Sequence, residues 1–486
     1  MLFNSLTFLL FLIVATALYW LLPRRQRLWM LFLASVMFYG FWRVDFIALM
    51  LVSSTTDYCV SLLMAKEGNP RRKWLLLLLS LSINLSLLFV FKYSIFAVEN
   101  AWLVLGWFGV SSPPPVLNII LPLGISFYTF QTISYSIDVY RGFIKPERDY
   151  VLYSVYVMYF PQLVAGPILR ANEVLPQLDE RPRFQFENLV VGTRRILFGL
   201  FLKVVLADNI GETVDSGFSS PASTMSAIDV WTLAFLFGFQ IYFDFSAYSH
   251  IAIGSARLMG IRFPENFNYP YFAVSPRDFW RRWHISLSSW IRDYLYLPLA
   301  GAKVRDESTG GLGSVVSATQ VTYRWTTALF LTWAIMGLWH GAAWKFLVWG
   351  LWHAVMVYVY RESGTLRERL PRWLRNYGGW ALTLGLTMLA WIPFRAANMS
   401  DTFTMLGKVA SPAQYLSLGM RENTYILAAA VMLALGVAFV GSKVLEPMRE
   451  RFPVLCIAPE ALVYAVAISS VFVFLRPIQQ FIYFQF

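Results

Sequence analysis

Long uncharged apolar runs recur along this chain: SLTFLLFLIVATALYWLL (5 to 22), WLLLLLSLSINLSLLFVF (74 to 91) and YILAAAVMLALGVAFVG (425 to 441). Each approaches the roughly 20 residues needed to cross about 30 Å of hydrocarbon. Water offers no way to hide so many of them, so the chain reads as a polytopic integral membrane protein. The first run has no basic residue before it and Arg24, Arg25 and Arg27 directly after it. That order is the reverse of a secretory signal, and by the positive-inside rule it puts the first loop in the cytoplasm and the N-terminus outside.

Basic clusters then punctuate the chain. Those at 24 to 27 and 66 to 73 bracket two spans that turn outside near Arg43 and Asp45. The run 74 to 91 leads outward, and 116 to 138 returns to Arg141, Lys145 and Arg148. The next apolar stretch, 151 to 169, has basic residues on both flanks and is broken by Pro161, Gly166 and Pro167. Proline removes an interior helical hydrogen bond, and irregular backbone survives at membrane depth only inside protein or beside water. A re-entrant or broken helix entering from the cytoplasm is expected, against the alternative of one kinked span. Further spans fall at 226 to 256, 323 to 340, 343 to 360, 379 to 394, 423 to 441 and 461 to 477, which leaves the C-terminus outside. The expectation is an all-α transmembrane bundle of about eleven spans, with the short run 196 to 207 as a candidate twelfth.

The formal net charge of +12 resides mostly in short loops and is read as topology signal facing anionic lipid, with no nucleic-acid partner. Cys59 and Cys456 have no metal-ligand spacing, no HExxH or CxxC is present, and no metal site is expected. The absence of phosphate-binding glycine motifs argues against nucleotide hydrolysis and dinucleotide redox chemistry.

Two of the four histidines stand in identical tetrapeptides, GLWH ending at His340 and GLWH ending at His353. Thirteen residues apart, they lie about 140° apart around one straight helix, so they share no face unless the chain breaks, for which Gly341 is the natural place. An ionisable residue inside a membrane domain is a functional candidate by default, against a satisfied packing role or a proton relay. A third histidine, His284, lies in SPRDFWRRWHISLSSWIRDYLYLPL (275 to 299), where arginines, aspartates and tryptophans interleave. That stretch suits either an amphipathic interfacial helix or the wall of a wet funnel binding a polyanion.

The stretches WRRWHISLSSWIRDYLYLPL, LPLGISFYTFQTISYSIDVYRG, YFPQLVAGPILR, YFDFSAYSHIAIG, GIRFPENFNYPY and GLWHGAAW together resemble the membrane-bound O-acyltransferases, and among them the branch that O-acetylates alginate. The resemblance covers most of the chain to about residue 400. It implies one acyltransferase domain over 1 to 486, with core motifs in 116 to 360, C-terminal spans in 379 to 477, and a central funnel. By the same resemblance, His340 would be the catalytic base in that funnel and His284 its partner. The expected donor is acetyl-CoA, entering from the cytoplasm as a substrate, with no permanently held cofactor expected. Arg281, Arg282, Trp283, Trp339, Asp293, Asn266 and Asn268 are the expected donor or substrate contacts, and His353 and Asp244 mark a candidate second pocket. The acetyl group would pass to a periplasmic partner protein that acetylates an exopolysaccharide such as alginate, from an enzyme surrounded by lipid in a bacterial inner membrane with both termini periplasmic. A carrier-protein thioester donor, as in teichoic-acid D-alanylation, and a proton-coupled transporter are the alternatives. Two departures stand out: His250 where an aspartate is usual, and the loop 300 to 324, which lacks the expected GGNR-like run.

Overall fold

The computed structural model describes residues 1 to 475 and Phe481, apart from residues 2, 165, 181, 303, 307 to 315 and 319 to 323. The sequence-divergent loop 300 to 324 and the terminal residues 482 to 486 therefore lie largely or wholly outside the described residues, as does Arg181. The order is α1 (Leu6–Leu21), α2 (Arg24–Gly40), α3 (Asp45–Lys66), α4 (Pro70–Leu88), α5 (Ser94–Trp107), α6 (Ile125–Arg141) and α7 (Tyr150–Met158). Next come α8 (Ala171–Asp179), α9 (Phe186–Leu200), α10 (Asp208–Phe218), α11 (Ala227–Leu258), α12 (Pro276–Arg282), α13 (Ile285–Ile291) and α14 (Leu297–Leu299). The rest are α15 (Trp325–His340), α16 (Trp344–Glu362), α17 (Gly364–Glu368), α18 (Gly379–Arg395), α19 (Met399–Ala410), α20 (Glu422–Arg451) and α21 (Pro453–Val473). Among the described residues only Val304–Asp306 and Val316–Ala318 pair as strands.

Among the described residues, five helical stretches are long and apolar enough to cross a membrane: Asp45–Lys66, Pro70–Trp107, Ala227–Leu258, Glu422–Arg449 and Leu455–Val473. The first, second, sixth, fifteenth, sixteenth and eighteenth helices are 16 to 19 residues long, about 24 to 28 Å at 1.5 Å per residue. Polar and small residues facing protein neighbours shorten or dilute them. α6, with TFQTISYSID, buries Gln131, Thr132, Ser134, Ser136 and Asp138. The outer faces of α1, α4, α20 and α21 instead expose leucines, valines and isoleucines, as a lipid-facing surface requires.

The basic clusters gather at one end. Arg24 pairs with Asp179, and the Arg27 guanidinium donates to the Glu180 carbonyl at 2.8 Å. The Tyr58 hydroxyl donates to the Arg148 carbonyl at 2.6 Å, and Lys73 sits 5.5 Å from the Tyr140 ring centre. The stretch 151 to 169 is not a single span. α7 stops after nine residues at Met158, and the described residues from 152 to 170 are all buried in protein, as non-helical backbone at that depth demands. It returns to Arg170, whose guanidinium meets Asp293 at 2.6 Å.

The duplicated tetrapeptide has a structural reason. α15 ends at His340, Gly341 takes an extended backbone (φ −163°) and α16 runs back beside α15. The two helices touch at the two glycines: a Cβ on Gly350 would lie 2.2 Å from the Trp333 carbonyl oxygen and 3.1 Å from the Gly337 Cα, and one on Gly337 would lie 2.3 Å from the Phe346 carbonyl oxygen. Small residues at a crossing let membrane helices pack backbone to backbone. Gly350→Ala is expected to force the pair apart, lowering stability by about 1–3 kcal/mol. A thermal melt of the purified variant in detergent checks this, and an unchanged midpoint would contradict the close crossing.

Candidate functional site

Each histidine of the pair stands three residues beyond its own glycine, on opposite sides of the Gly337–Gly350 crossing. At 1.5 Å per residue this separates them by about 9 Å along the bundle. Trp349 fills the gap, its ring centre 4.7 Å from that of His340 and 4.9 Å from that of His353. His340 is further enclosed by Trp339 (4.9 Å) and Phe394 (5.5 Å), and it lies within electrostatic reach of His284, His353 and Lys92. The break expected at Gly341 is therefore present, and it brings two histidines of one motif into a single buried layer.

His284 reaches the same layer by a different device. It caps α13 in the left-handed region (φ 41°), a conformation costing a non-glycine residue roughly 1–2 kcal/mol and typical of functional positions. Asn266 holds the strained backbone in place. Its carbonyl accepts from the Ile285 amide (2.9 Å), and its side-chain oxygen accepts from the Ser286 hydroxyl (2.9 Å). Its amide donates to the Ser249 hydroxyl (3.2 Å). The His284 ring is wedged against Phe245 at 4.6 Å, with Phe127 and Phe267 further out.

A cleft of about 530 Å³ opens beside α12, α15 and α16, within the size range of small-molecule sites. Arg277, Arg292 and Arg361, from three separate elements, line it together with Trp280, Trp325 and Trp333. Trp280 and Trp333 also form the wall of the His353 cage, at 5.0 and 5.5 Å. Among the described residues, both ring nitrogens of His353 and of His284, the indole nitrogens of Trp280 and Trp349 and the Thr332 hydroxyl are buried with no hydrogen-bond partner. Buried polar groups are normally paired, so a layer this rich in open donors and acceptors is suited to a polar guest. Ring contacts run from Trp280 and Trp333 in the cleft wall to His353, and from there through Trp349 to His340.

Several residues singled out in the sequence are engaged elsewhere. Arg281 is exposed, Arg282 pairs with Asp278 at 2.9 Å, and neither lines the cleft. Asp293 is fully buried between Arg170 and Arg292, each at 2.6 Å. Trp283 stacks on Phe279 (5.7 Å), and Trp339 lies parallel to Phe130 (5.1 Å). Asn268 is exposed, and its backbone amide donates to the Arg282 carbonyl at 2.9 Å. Asp244 and Asp208 both contact the Lys203 ammonium at 2.7 Å. His250 accepts from Arg195 at 3.3 Å, and Arg195 is in turn paired with Glu265, an anchoring role for the residue that departs from the family pattern. The sequence reading placed Arg277 in the polar stretch and Arg361 in a cytoplasmic loop without singling out either as a donor contact, and it passed over Lys92 behind His340. A lysine directly after an apolar run was the available signal for the last.

Residues 145–316 match the MBOAT, membrane-bound O-acyltransferase family profile. The chain is 38% identical over 448 residues to the probable alginate O-acetylase AlgI of Pseudomonas putida, covering 91% of this chain and 87% of that protein. It is 35% identical to the peptidoglycan O-acetyltransferase of Helicobacter pylori, over 79% of this chain and 73% of that protein. To the teichoic acid D-alanyltransferase of Bacillus subtilis it is 31% identical, over 51% of this chain and 60% of that protein. With a multi-pass helical architecture, histidines gathered in its core and relatives of this kind along nearly its whole length, the chain belongs to the membrane-bound O-acyltransferase family.

Proposed function

We propose that this enzyme moves an acetyl group from acetyl-CoA, bound at the basic end, to a hydroxyl delivered from the other side of the membrane. The observation that carries the reading is the cleft of Arg277, Arg292 and Arg361 joined through Trp280 and Trp333 to the histidine layer. The positive-inside rule makes the basic end cytoplasmic, where the CoA pool is. The span count of about eleven, both termini outside and a bacterial inner membrane go with that orientation. CoA carries a pyrophosphate and a third phosphate, and guanidinium groups bind phosphate bidentately. A carrier-protein thioester presents one phosphodiester, so three arginines favour the free nucleotide donor. The relatives named as O-acetyltransferases support an acetyl group, and those acting on alginate support an exopolysaccharide as final acceptor, reached through a periplasmic partner.

In this mechanism His340 takes the proton of the acceptor hydroxyl as its oxygen attacks the thioester carbonyl. The carbon–sulfur bond breaks, the thiolate leaves and is protonated from the imidazolium, and the products are the acetyl ester and CoA. His284 orients the donor or hydrogen-bonds its carbonyl oxygen. His353, behind the indole wall of the cleft, faces the incoming arm of the donor.

The test follows CoA release from acetyl-CoA by purified protein in nanodiscs, with and without a polysaccharide acceptor and its partner protein. Arg277→Ala/Arg361→Ala is expected to raise the KM for acetyl-CoA about tenfold, consistent with the loss of charge-assisted hydrogen bonds, with kcat little changed. An unchanged KM would remove the cleft from the donor path. Turnover with an acyl-carrier thioester but not with acetyl-CoA would establish the carrier-protein donor instead.

A further inference from the structure

Helix α15 ends inside the protein at His340, where its last carbonyls have no partner within the helix and Trp339 and His340 are buried. A second element supplies the donors. The rod formed by α4 and α5 is interrupted by a π turn at Phe89–Tyr93, a local widening that recurs at functional sites. From that turn the Lys92 ammonium donates to the Trp339 carbonyl at 2.5 Å and to the His340 carbonyl at 3.3 Å. The neighbouring Tyr93 hydroxyl donates to the Leu338 carbonyl at 3.0 Å. The same ammonium stands 5.6 Å from the Trp339 ring centre. Two turns further along the rod, the Asn100 side-chain oxygen accepts from the Trp344 indole at 2.9 Å, so both ends of the break after His340 are pinned to one helix.

We propose that Lys92, seconded by Tyr93, is the positioning residue of the active site: it fixes the backbone of His340 by tying off the last carbonyls of α15. A charge within an apolar segment is costly, and packing alone gives no reason for a lysine here. A cation at a helix C-terminus is favoured by the helix dipole, and the π turn places two consecutive side chains on three consecutive carbonyls. The inference rests on the reading of His340 as the base. Positioning matters because a displacement of about 1 Å at a reacting group costs about 10²-fold in rate.

The test compares Lys92→Met, Lys92→Arg, Tyr93→Phe and His340→Ala in nanodiscs, with CoA release from acetyl-CoA expressed per folded molecule. Lys92→Met is expected to lower kcat about 10- to 100-fold at unchanged KM, Tyr93→Phe to lower it less, and Lys92→Arg, which still donates, to recover part of the loss. Hydrogen exchange of the 338–346 peptide is expected to quicken in Lys92→Met and Tyr93→Phe. Tyr93→Phe keeps the ring and serves where Lys92→Met fails to fold, and the exchange readout serves where turnover is too slow to follow. Parental kcat with parental exchange in the folded variants overturns the proposal. If His340→Ala remains active while Lys92→Met changes the exchange of 338–346, the clamp stands and the assignment of the base falls.

Discussion

His340→Ala will reduce acetyl transfer by about 10²- to 10⁴-fold, the range that a positioned general base contributes. The three histidines should rank in a definite order. His340 stands at the break between α15 and α16, is enclosed by Trp339, Trp349 and Phe394, and has its carbonyl held by Lys92. Its removal acts on the proton transfer itself and lowers kcat. His284→Ala should lower kcat less, since in the proposed mechanism its ring orients the donor and accepts no proton in the step. His353→Ala should act mainly on KM, because His353 lies behind Trp280 and Trp333 on the cleft side of Trp349. All three are packed among aromatic rings, so each truncation also leaves a cavity. Size exclusion and a thermal melt separate that loss from chemistry, and His340→Gln, closer in volume, repeats the first measurement with less disturbance. Full activity in either folded His340 variant would sink the assignment.

Much of this arrangement could be read in the chain because membrane burial leaves a coarse signal. A backbone that must satisfy itself in hydrocarbon becomes helix, and basic loops mark where the helices end. The GLWH pair was legible in part: at helical spacing its histidines share no face unless the helix breaks, and the break stands at Gly341, where one was expected. The arginine-lined cleft was less legible. Arg281 and Arg282 attract attention by standing next to His284, yet α12 is only seven residues long and its C-terminal turn sends Arg282 back to Asp278. The arginines that line the cleft include Arg361, almost eighty residues away at the far end of α16, and no local pattern joins it to Arg277. Lys92 was hidden by its position at the edge of an apolar run, where a lysine ordinarily marks the membrane boundary. Only the π turn shows that the helix continues and that the charge points inward.

Arg170 and Asp293 carry the second large effect, and they separate a structural from a substrate-binding role for a residue in the histidine-bearing stretch. Asp293 is fully buried, with the Arg170 guanidinium at 2.6 Å and 8% exposed and the Arg292 guanidinium at 2.6 Å and about half exposed. Arg170 begins the chain after the broken segment 151 to 169 and Asp293 follows His284 by nine residues, so the pair ties the broken segment to the histidine loop. Removing one member of a buried pair strands the other charge, at a cost of about 3–5 kcal/mol. Arg170→Met should fall near the lower end, because Arg292 can still reach the carboxylate. The double variant Arg170→Met/Asp293→Leu should regain most of that loss, since a buried ion pair replaced by apolar side chains is often neutral or better. Melting curves of the two single variants and the double variant form the cycle, and a double variant no more stable than either single would reject the ion pair as the cause. Asp293 also holds Arg292 of the cleft at 2.6 Å, so the kinetics are read against Arg292→Ala: with a structural Asp293, the KM for acetyl-CoA per folded molecule rises no further in the double variant than in Arg292→Ala. A KM raised tenfold beyond that of Arg292→Ala, while the double variant melts normally, would return Asp293 to the donor site, and the same stretch of chain would then hold both the histidine and a substrate contact.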